Sequence, residues 1–160
     1  MTPRKELFIA IQNALKQIPR LELIDLQRKQ FSDLKNTYGN YFTAALIGIK
    51  SIQWSQMVEQ RQEGTCTVEI ILYTKDGWLD QHNTTSDPDN GLTELDLQDE
   101  IIEQTLFLQG ESFKPIMLVS EAPEDEDSEM LSYKMTFSTM IYRVIKPRYQ
   151  NKVLTAITPA

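Results

Sequence analysis

The chain has 160 residues, 41% of them hydrophobic, and a formal net charge of −7. This length is typical of a single domain with one core, which we predict over residues 1–146. The acidic balance argues against broad binding to nucleic acid or to an anionic membrane surface, because both need clustered Lys and Arg. No apolar run reaches the roughly 18 residues of a membrane span, and the opening residues lack the features of a signal peptide. We therefore expect a protein that is made in the cytoplasm and has no membrane partner.

The first predicted element is an amphipathic helix over residues 3–17. Thr2 can cap this helix, and Pro3 occupies its first position, where proline is favoured. The apolar residues that follow recur at spacings of three and four, as on the buried face of a helix: Leu7, Ala10, Ile11, Ala14, Leu15 and Ile18. Pro19 disfavours further helix. Residues 21–28 then alternate and predict a short strand, with a second helical turn as the alternative.

The middle of the chain contains its most strand-like part. Thr65 to Lys75 alternates between two faces, one of which carries Cys66, Val68, Ile70 and Leu72. A looser alternation runs from Ile49 to Arg61. With Gln62-Glu63-Gly64 as the link, the two runs predict an antiparallel hairpin. Cys66 is the single cysteine, and we expect it to be a small buried hydrophobe rather than a metal ligand.

A polar loop and a second helix follow the hairpin. The loop covers residues 80–91 and carries the only histidine, His82, which we expect to be exposed. The helix covers residues 94–109, because apolar residues again recur at helical spacing. Gly110 lies just past its predicted end, a position that favours glycine.

Two strands and a tail complete the chain. The strands are residues 116–119 and a long alternating run over residues 131–145. Residues 147–160 form a polar tail that we expect to be loosely held. Two amphipathic helices and an antiparallel sheet of four or five strands each need a partner face. The fold class that follows is α+β, a two-layer sandwich with both helices packed on one face of the sheet.

The sequence shows no recognisable pattern of catalytic, cofactor-binding or metal-binding residues. Its six glycines are scattered, so no Gly-rich phosphate loop exists. His82 has no nucleophile and acid at a recognisable spacing, which argues against a hydrolytic triad. A group of acidic residues crowds one predicted loop: Glu121, Glu124, Asp125, Glu126, Asp127 and Glu129. Their order is not that of a calcium-binding loop, so we predict a solvated loop, no metal, no cofactor and no enzymatic activity.

Several segments between residues 2 and 143 carry a resemblance in pattern to a known family. They are the opening helix with Leu7, Ile11 and Leu15, and then Ala44–Gly48, Thr67–Tyr73, Leu97–Leu106, Ile116–Val119 and Tyr133–Thr139. In their order they resemble the tail terminator, or tail completion, family of long-tailed bacteriophages and prophages. The loop at 80–91 and the tail beyond Pro147 depart from that pattern, which leaves terminator, head–tail joining protein and tube component as alternative roles.

The resemblance implies a structural virion protein that forms a ring, expected to be a hexamer, at the end of the tail tube. Its partners would be other copies of itself, the tail tube and head-completion proteins, and DNA would pass without specific binding. A ring of one protein joins one surface patch to a different patch on the neighbouring copy. The candidate subunit interface is the uncharged face of the last strand, with an ordinary solvated face as the alternative: Ser132, Thr136, Ser138, Met140 and Tyr142.

The acidic loop is the candidate surface lining the lumen of the tube, because like charge suppresses binding of phosphate groups. In the assembled virion the protein would belong to the tail. The alternative function is a non-catalytic protein-binding module or adaptor of the same α+β architecture.

Overall fold

The structure is a computed structural model that describes residues 1–31, 43–58, 60–75, 86–89, 91–124 and 130–146. Its elements are α1 (Pro3–Leu15), β1 (Leu23–Leu26), β2 (Thr43–Val58), β3 (Arg61–Thr74), α2 (Thr93–Thr105), β4 (Met117–Glu124) and β5 (Leu131–Val144). Together they form an α+β fold with a mixed sheet. No described helix is long and apolar enough to cross a membrane. The predicted tail and most of the predicted 80–91 loop, including His82, lie outside the described residues.

The sheet is mixed rather than antiparallel throughout. Five described strands lie in the order β1-β2-β3-β5-β4, and Phe113 forms a one-residue bridge with Ile141 that adds a sixth segment. The predicted short strand is present as β1, but it runs parallel to β2, with Leu23 opposite Ala44. The prediction of an antiparallel sheet is therefore wrong at this edge, and that of four or five strands is not confirmed. The connection from Gln27 to residue 42 is long enough for the crossover that parallel strands require.

β2 and β3 form the predicted antiparallel hairpin, but the prediction of its turn at residues 62–64 is wrong. β2 ends at Val58 and β3 begins at Arg61. Gly64 instead pairs with Trp54, and a Cβ on Gly64 would lie 3.0 Å from the Trp54 ring. The backbone oxygen of Gln53 and the side chain of Ile52 would be closer still, at 2.9 Å. The glycine is needed because β2 approaches so closely, which is a second common reason for glycine besides a turn.

Both predicted helices are present and end earlier than predicted. α1 ends at Leu15 and α2 at Thr105, so Gly110 is not the residue that follows α2. Phe107 has a positive φ of 61°, and its N–H donates to Ile116 O at 2.9 Å. This contact turns the chain towards β4, and it replaces the last turn of helix that the apolar spacing predicted.

β4 is longer than predicted, whereas β5 agrees with the predicted last strand to within one residue. β4 continues past an irregularity at Val119 and ends at Glu124. Glu121 and Glu124 therefore lie on a strand and not in a loop, which corrects the prediction for these two residues. Pairing with β5 decides this, because a paired neighbour outweighs weak intrinsic strand propensity.

One buried cluster joins both helices to the sheet. Its main members come from α1 (Leu7, Ile11, Leu15), α2 (Leu97, Ile101), β3 (Cys66, Val68, Ile70, Leu72) and β5 (Met135, Phe137, Ile141). Cys66 has no exposed surface, and burial raises the pKa of its thiol to about 11. The prediction that Cys66 is a small buried hydrophobe is confirmed.

A second cluster covers one end of the opposite sheet face: Phe31, Ala44, Leu46, Ile71, Tyr73 and Met130.

Candidate functional site

Hydroxyl and amide side chains form rows across the middle of the sheet. Each row takes one residue from β2, β3 and β5: Ser51–Thr67–Ser138, Gln53–Thr65–Met140 and Ser55–Glu63–Tyr142. These residues alternate with the buried residues of the first cluster, so they lie on the opposite face of the sheet. All of them are at least partly exposed. We call these residues, together with the neighbouring Glu69 and Thr136, the open face.

The open face carries few charges. Its carboxylates are those of Glu63 and Glu69, and Glu69 Oε2 lies 3.1 Å from Lys50 Nζ. The hydroxyl of Thr65 donates to Met140 Sδ at 3.6 Å, a weak contact that leaves the oxygen accessible. Such a surface can form hydrogen bonds with a neighbouring protein without burying many unpaired charges, which would be costly.

The structure brings most of the predicted interface residues together. Thr136, Ser138, Met140 and Tyr142 all lie on the open face. Ser132 does not join them, because it is only 7% exposed and its hydroxyl donates to Glu124 O at 2.9 Å. The sequence pattern did not single out the β2 and β3 members of the rows. Their alternating Ser, Gln and Thr residues were visible in the sequence, but which strand lies beside which was not.

The predicted acidic loop is divided by the end of β4. Glu121 is exposed on β4, and Glu124 Oε1 forms an ion pair with Lys134 Nζ at 3.1 Å. The other members lie outside the described residues: Asp125, Glu126, Asp127 and Glu129. A lumen-facing role of the acidic residues therefore stays a prediction.

Apolar side chains are exposed where the β2–β3 hairpin meets the end of β5. Met57 and Val58 are 52% and 60% exposed, and Val144 is 71% exposed. Met1, Met57 and Val144 line a cleft of about 570 Å³. We call Met1, Met57, Val58, Val144 and Ile145 the apolar end. The sequence did not predict this patch, because each residue alone is an ordinary apolar residue at the end of an element.

A cation–π contact connects the β2–β3 hairpin to β5 beside the apolar end. The Arg143 guanidinium lies 4.1 Å from the centre of the Trp54 ring. Its Nε donates to Gln62 Oε1 at 2.7 Å. These contacts connect β2, β3 and β5, and the cation–π attraction strengthens where the pair is shielded from water. These contacts therefore cross-link the three strands near the apolar end.

The described ionisable groups with shifted pKa values lie in different parts of the fold. Hydrogen bonds from the Ser112 hydroxyl and from the N–H groups of Glu111 and Ser112 lower the pKa of Glu6. Burial raises the pKa values of Cys66 and Tyr133. Within the described part of the chain, no three His, Cys, Asp or Glu side chains are grouped as metal ligands. These shifts therefore report local packing, and they do not converge on one cleft.

Comparison with known proteins adds no family assignment. The sequence matches no protein-family model, and no curated protein matches it significantly. A functional proposal therefore depends on the open face, the apolar end and the resemblance in element order.

Proposed function

We propose that the chain is a structural protein of phage tail assembly, a tail terminator or head–tail joining component that forms a ring at the end of the tail tube. The observation that carries the proposal is the open face, a largely uncharged surface across three paired strands. The resemblance in element order to tail terminators supports the specific role. The partners are other copies of the chain, the tail tube and head-completion proteins, and the protein passes from the cytoplasm into the virion tail.

The proposed architecture has two layers, with α1 and α2 on one face of the sheet. Burial of Leu7, Ile101 and Val68 in one cluster supports this arrangement. It leaves the open face free of the chain's own helices and available to a neighbour. A ring needs two different patches on every copy, and the apolar end is the second patch in this proposal.

Charge supports the passage of DNA through such a ring without binding. The chain has a net charge of −7, and Glu121 is exposed. A surface of like sign does not retain phosphate groups, so DNA would move past the protein without being held.

Ser138→Arg tests the role of the open face. The substitution places a long cation in the middle of a row that includes Ser51 and Thr67, and we expect it to reduce the population of rings because the incoming surface would have to bury that charge. Native mass spectrometry and electron microscopy of stained particles, with and without isolated tail tubes, measure the rings.

Gln104→Arg is the matched control for this experiment. Gln104 is exposed on α2, and the substitution changes the net charge by the same amount. Equal ring formation by Ser138→Arg and Gln104→Arg, at equal thermal stability, would contradict the proposal. The absence of rings from the unmodified protein, even with tail tubes present, would contradict it more directly.

A second function, a non-catalytic protein-binding module or adaptor, is favoured by the apolar end. Exposed apolar patches with polar rims often mark binding sites for other proteins. Met57→Asp would then abolish capture of the partner protein, whereas Ser138→Arg would leave that capture unchanged.

A further inference from the structure

Among the described residues, pairing covers only part of the outer edge of β2. β1 pairs with β2 from Ala44 to Ile47, and Gln27 N donates to Ile47 O at 2.9 Å just beyond β1. From Gly48 onwards β2 continues with β3 on one side. On the other side, no described residue pairs with β2 between Ile49 and Gln56.

The strand register shows which backbone groups face outwards along this edge. The carbonyls of Thr43 and Ile47 accept bonds from the β1 side, so alternate residues of β2 face away from β3. A register shift between Ile49 and Ser51 moves the alternation by one residue. After the shift, the outward N–H and C=O groups belong to Ile52 and Trp54. These are the groups that an added strand would bond.

Between its two register shifts, the outer edge of β2 lacks the features by which exposed strands usually avoid pairing. Ser51 to Gln56 lies between two register shifts and contains no proline, glycine or charged residue. The opposite edge of the sheet is different, because β4 carries Pro123 and Glu121 and has its own irregularity at Val119. Proline, charge and bulges are common means of blocking an edge. β4 is thus protected, whereas β2 can accept a strand.

We propose that Ser51–Gln56 pairs antiparallel with the same segment of a second copy, about a two-fold axis at Gln53. In this register Ile52 lies opposite Trp54 of the second copy, and the pair is repeated by the symmetry. The Trp54 ring leans across Gly64 towards Arg143, so Ile52 and Trp54 join the two copies through their backbones rather than through their side chains. Their outward backbone groups face each other, so the two chains exchange hydrogen bonds at both positions.

Charge and the blocked edge support a second copy as the occupant. The paired segment has no charge of its own. Along the chain the nearest charge, on Lys50, is engaged by Glu69 at 3.1 Å. The Arg143 guanidinium lies over Trp54, on the opposite sheet face from Gln53. Like charges therefore do not oppose each other at the axis. The β4 edge of a neighbouring copy is a poor alternative, since Pro123 has no N–H to donate. The dimer uses the edge of the sheet and leaves Ser138 free. Gln53 also belongs to the open face, so a lysine elsewhere on that face separates the dimer from the proposed ring.

Gln53→Cys tests the register directly. Directly opposite residues have Cβ atoms about 4.5–5.5 Å apart, close to the range that a disulfide bridges. We expect mild oxidation to convert Gln53→Cys to a covalent dimer of doubled mass on non-reducing gels. The native Cys66 does not interfere, because it is buried and its pKa is raised to about 11.

Ser55→Cys is the matched control on the same strand and face. The Ser55 residues of the two copies would lie four strand residues out of register, about 14 Å apart, so we expect Ser55→Cys to remain a monomer on the same gel. Stronger cross-linking of Ser55→Cys than of Gln53→Cys would overturn the proposed pairing.

Gln53→Lys tests the dimer without covalent capture. It places two like charges opposite each other at the axis, and we expect the dissociation constant to rise about fivefold or more, measured by analytical ultracentrifugation. Thr65→Lys is the control, because Thr65 is exposed and pairs with Gln53 one strand further from the edge. A wild-type chain that stays monomeric over the full concentration range, or equal effects of both lysines, would overturn the proposal. So would occupation of this edge by a strand of another protein.

Discussion

Among single residues, Gly64 has a structural role that differs from the one its sequence context predicts. It lies within β3, and a Cβ there would meet the backbone oxygen of Gln53 at 2.9 Å and the Trp54 ring at 3.0 Å. The backbone oxygen cannot move without disturbing the β2–β3 ladder. Gly64 therefore permits Trp54 to lie across the hairpin and to receive the Arg143 guanidinium.

Gly64→Ala should destabilise the fold by about 1–3 kcal/mol, the usual cost of forcing extra atoms into a packed site. Gly48→Ala is the matched control in β2, because the closest atom to its new Cβ would be Lys50 Cε, the mobile end of a side chain. Urea denaturation followed by tryptophan fluorescence measures both free energies of unfolding. An equal loss in the two variants would show that strand glycine alone, rather than the close contact, sets the cost.

At the level of elements, α1 is attached to the segment before β4 through one carboxylate. Glu6 Oε1 accepts hydrogen bonds from Glu111 N at 2.7 Å and from Ser112 N at 3.4 Å. Gly110 lies beside this contact, where a Cβ would collide with Glu6 and with the Phe113 ring. The packing of α1 explains the glycine at position 110, which the sequence pattern placed at a helix end.

Stability should fall in acid partly through Glu6. Hydrogen bonding, first from the Ser112 hydroxyl, lowers the pKa of Glu6 from its usual value of 4.5. The charged form therefore stabilises the fold above pH 4.5, and this contribution is lost as the pH falls through the lowered pKa. Glu6→Gln should lower the melting temperature at neutral pH, and its difference from the wild-type chain should shrink in acid.

Glu103→Gln serves as the control for this pH dependence, because Glu103 is an exposed carboxylate of α2. Its melting temperature should follow that of the wild-type chain at each pH. A Glu6→Gln difference that stays constant from neutral to acidic pH would argue against the carboxylate as the cause.

At the level of the whole molecule, one cluster connects both helices with β2, β3 and β5, and Cys66 lies within it. The cysteine has no exposed surface. A reagent can reach its sulfur only when the sheet and helices separate, so Cys66 reports on opening of the entire core.

Labelling of Cys66 by a thiol reagent should be slow in the native protein and should accelerate with urea in step with global unfolding. Native labelling is slow because burial keeps the reagent away from the sulfur. Burial also raises the pKa of the thiol to about 11, so little of the reactive thiolate is present. Mass spectrometry over time measures the labelled fraction. Ser55→Cys provides an exposed second thiol that should react at once, and rapid labelling of the wild-type chain would contradict a closed core.

Features that depend on neighbours along the chain could be predicted from the amino-acid sequence. The start of α1 follows from Pro3 at its first position. The existence of α2 and the extent of β5 follow from apolar spacings of three to four and of two residues. The burial of Cys66 follows from the same alternation in β3, as does the grouping of Thr136, Ser138, Met140 and Tyr142 on one face. In each case the side-chain pattern itself selects the buried face.

Which strands are neighbours, in which direction they run and where pairing stops became clear only from the three-dimensional fold. This group includes the parallel direction of β1, the position of Glu121 on β4, the burial of Ser132 and the stretch of β2 with which no described residue pairs on its outer side. Strands pair through backbone groups that are nearly the same in every residue. Strand pairing therefore produces little recognisable pattern in the local sequence. It is determined by contacts between segments far apart in the chain.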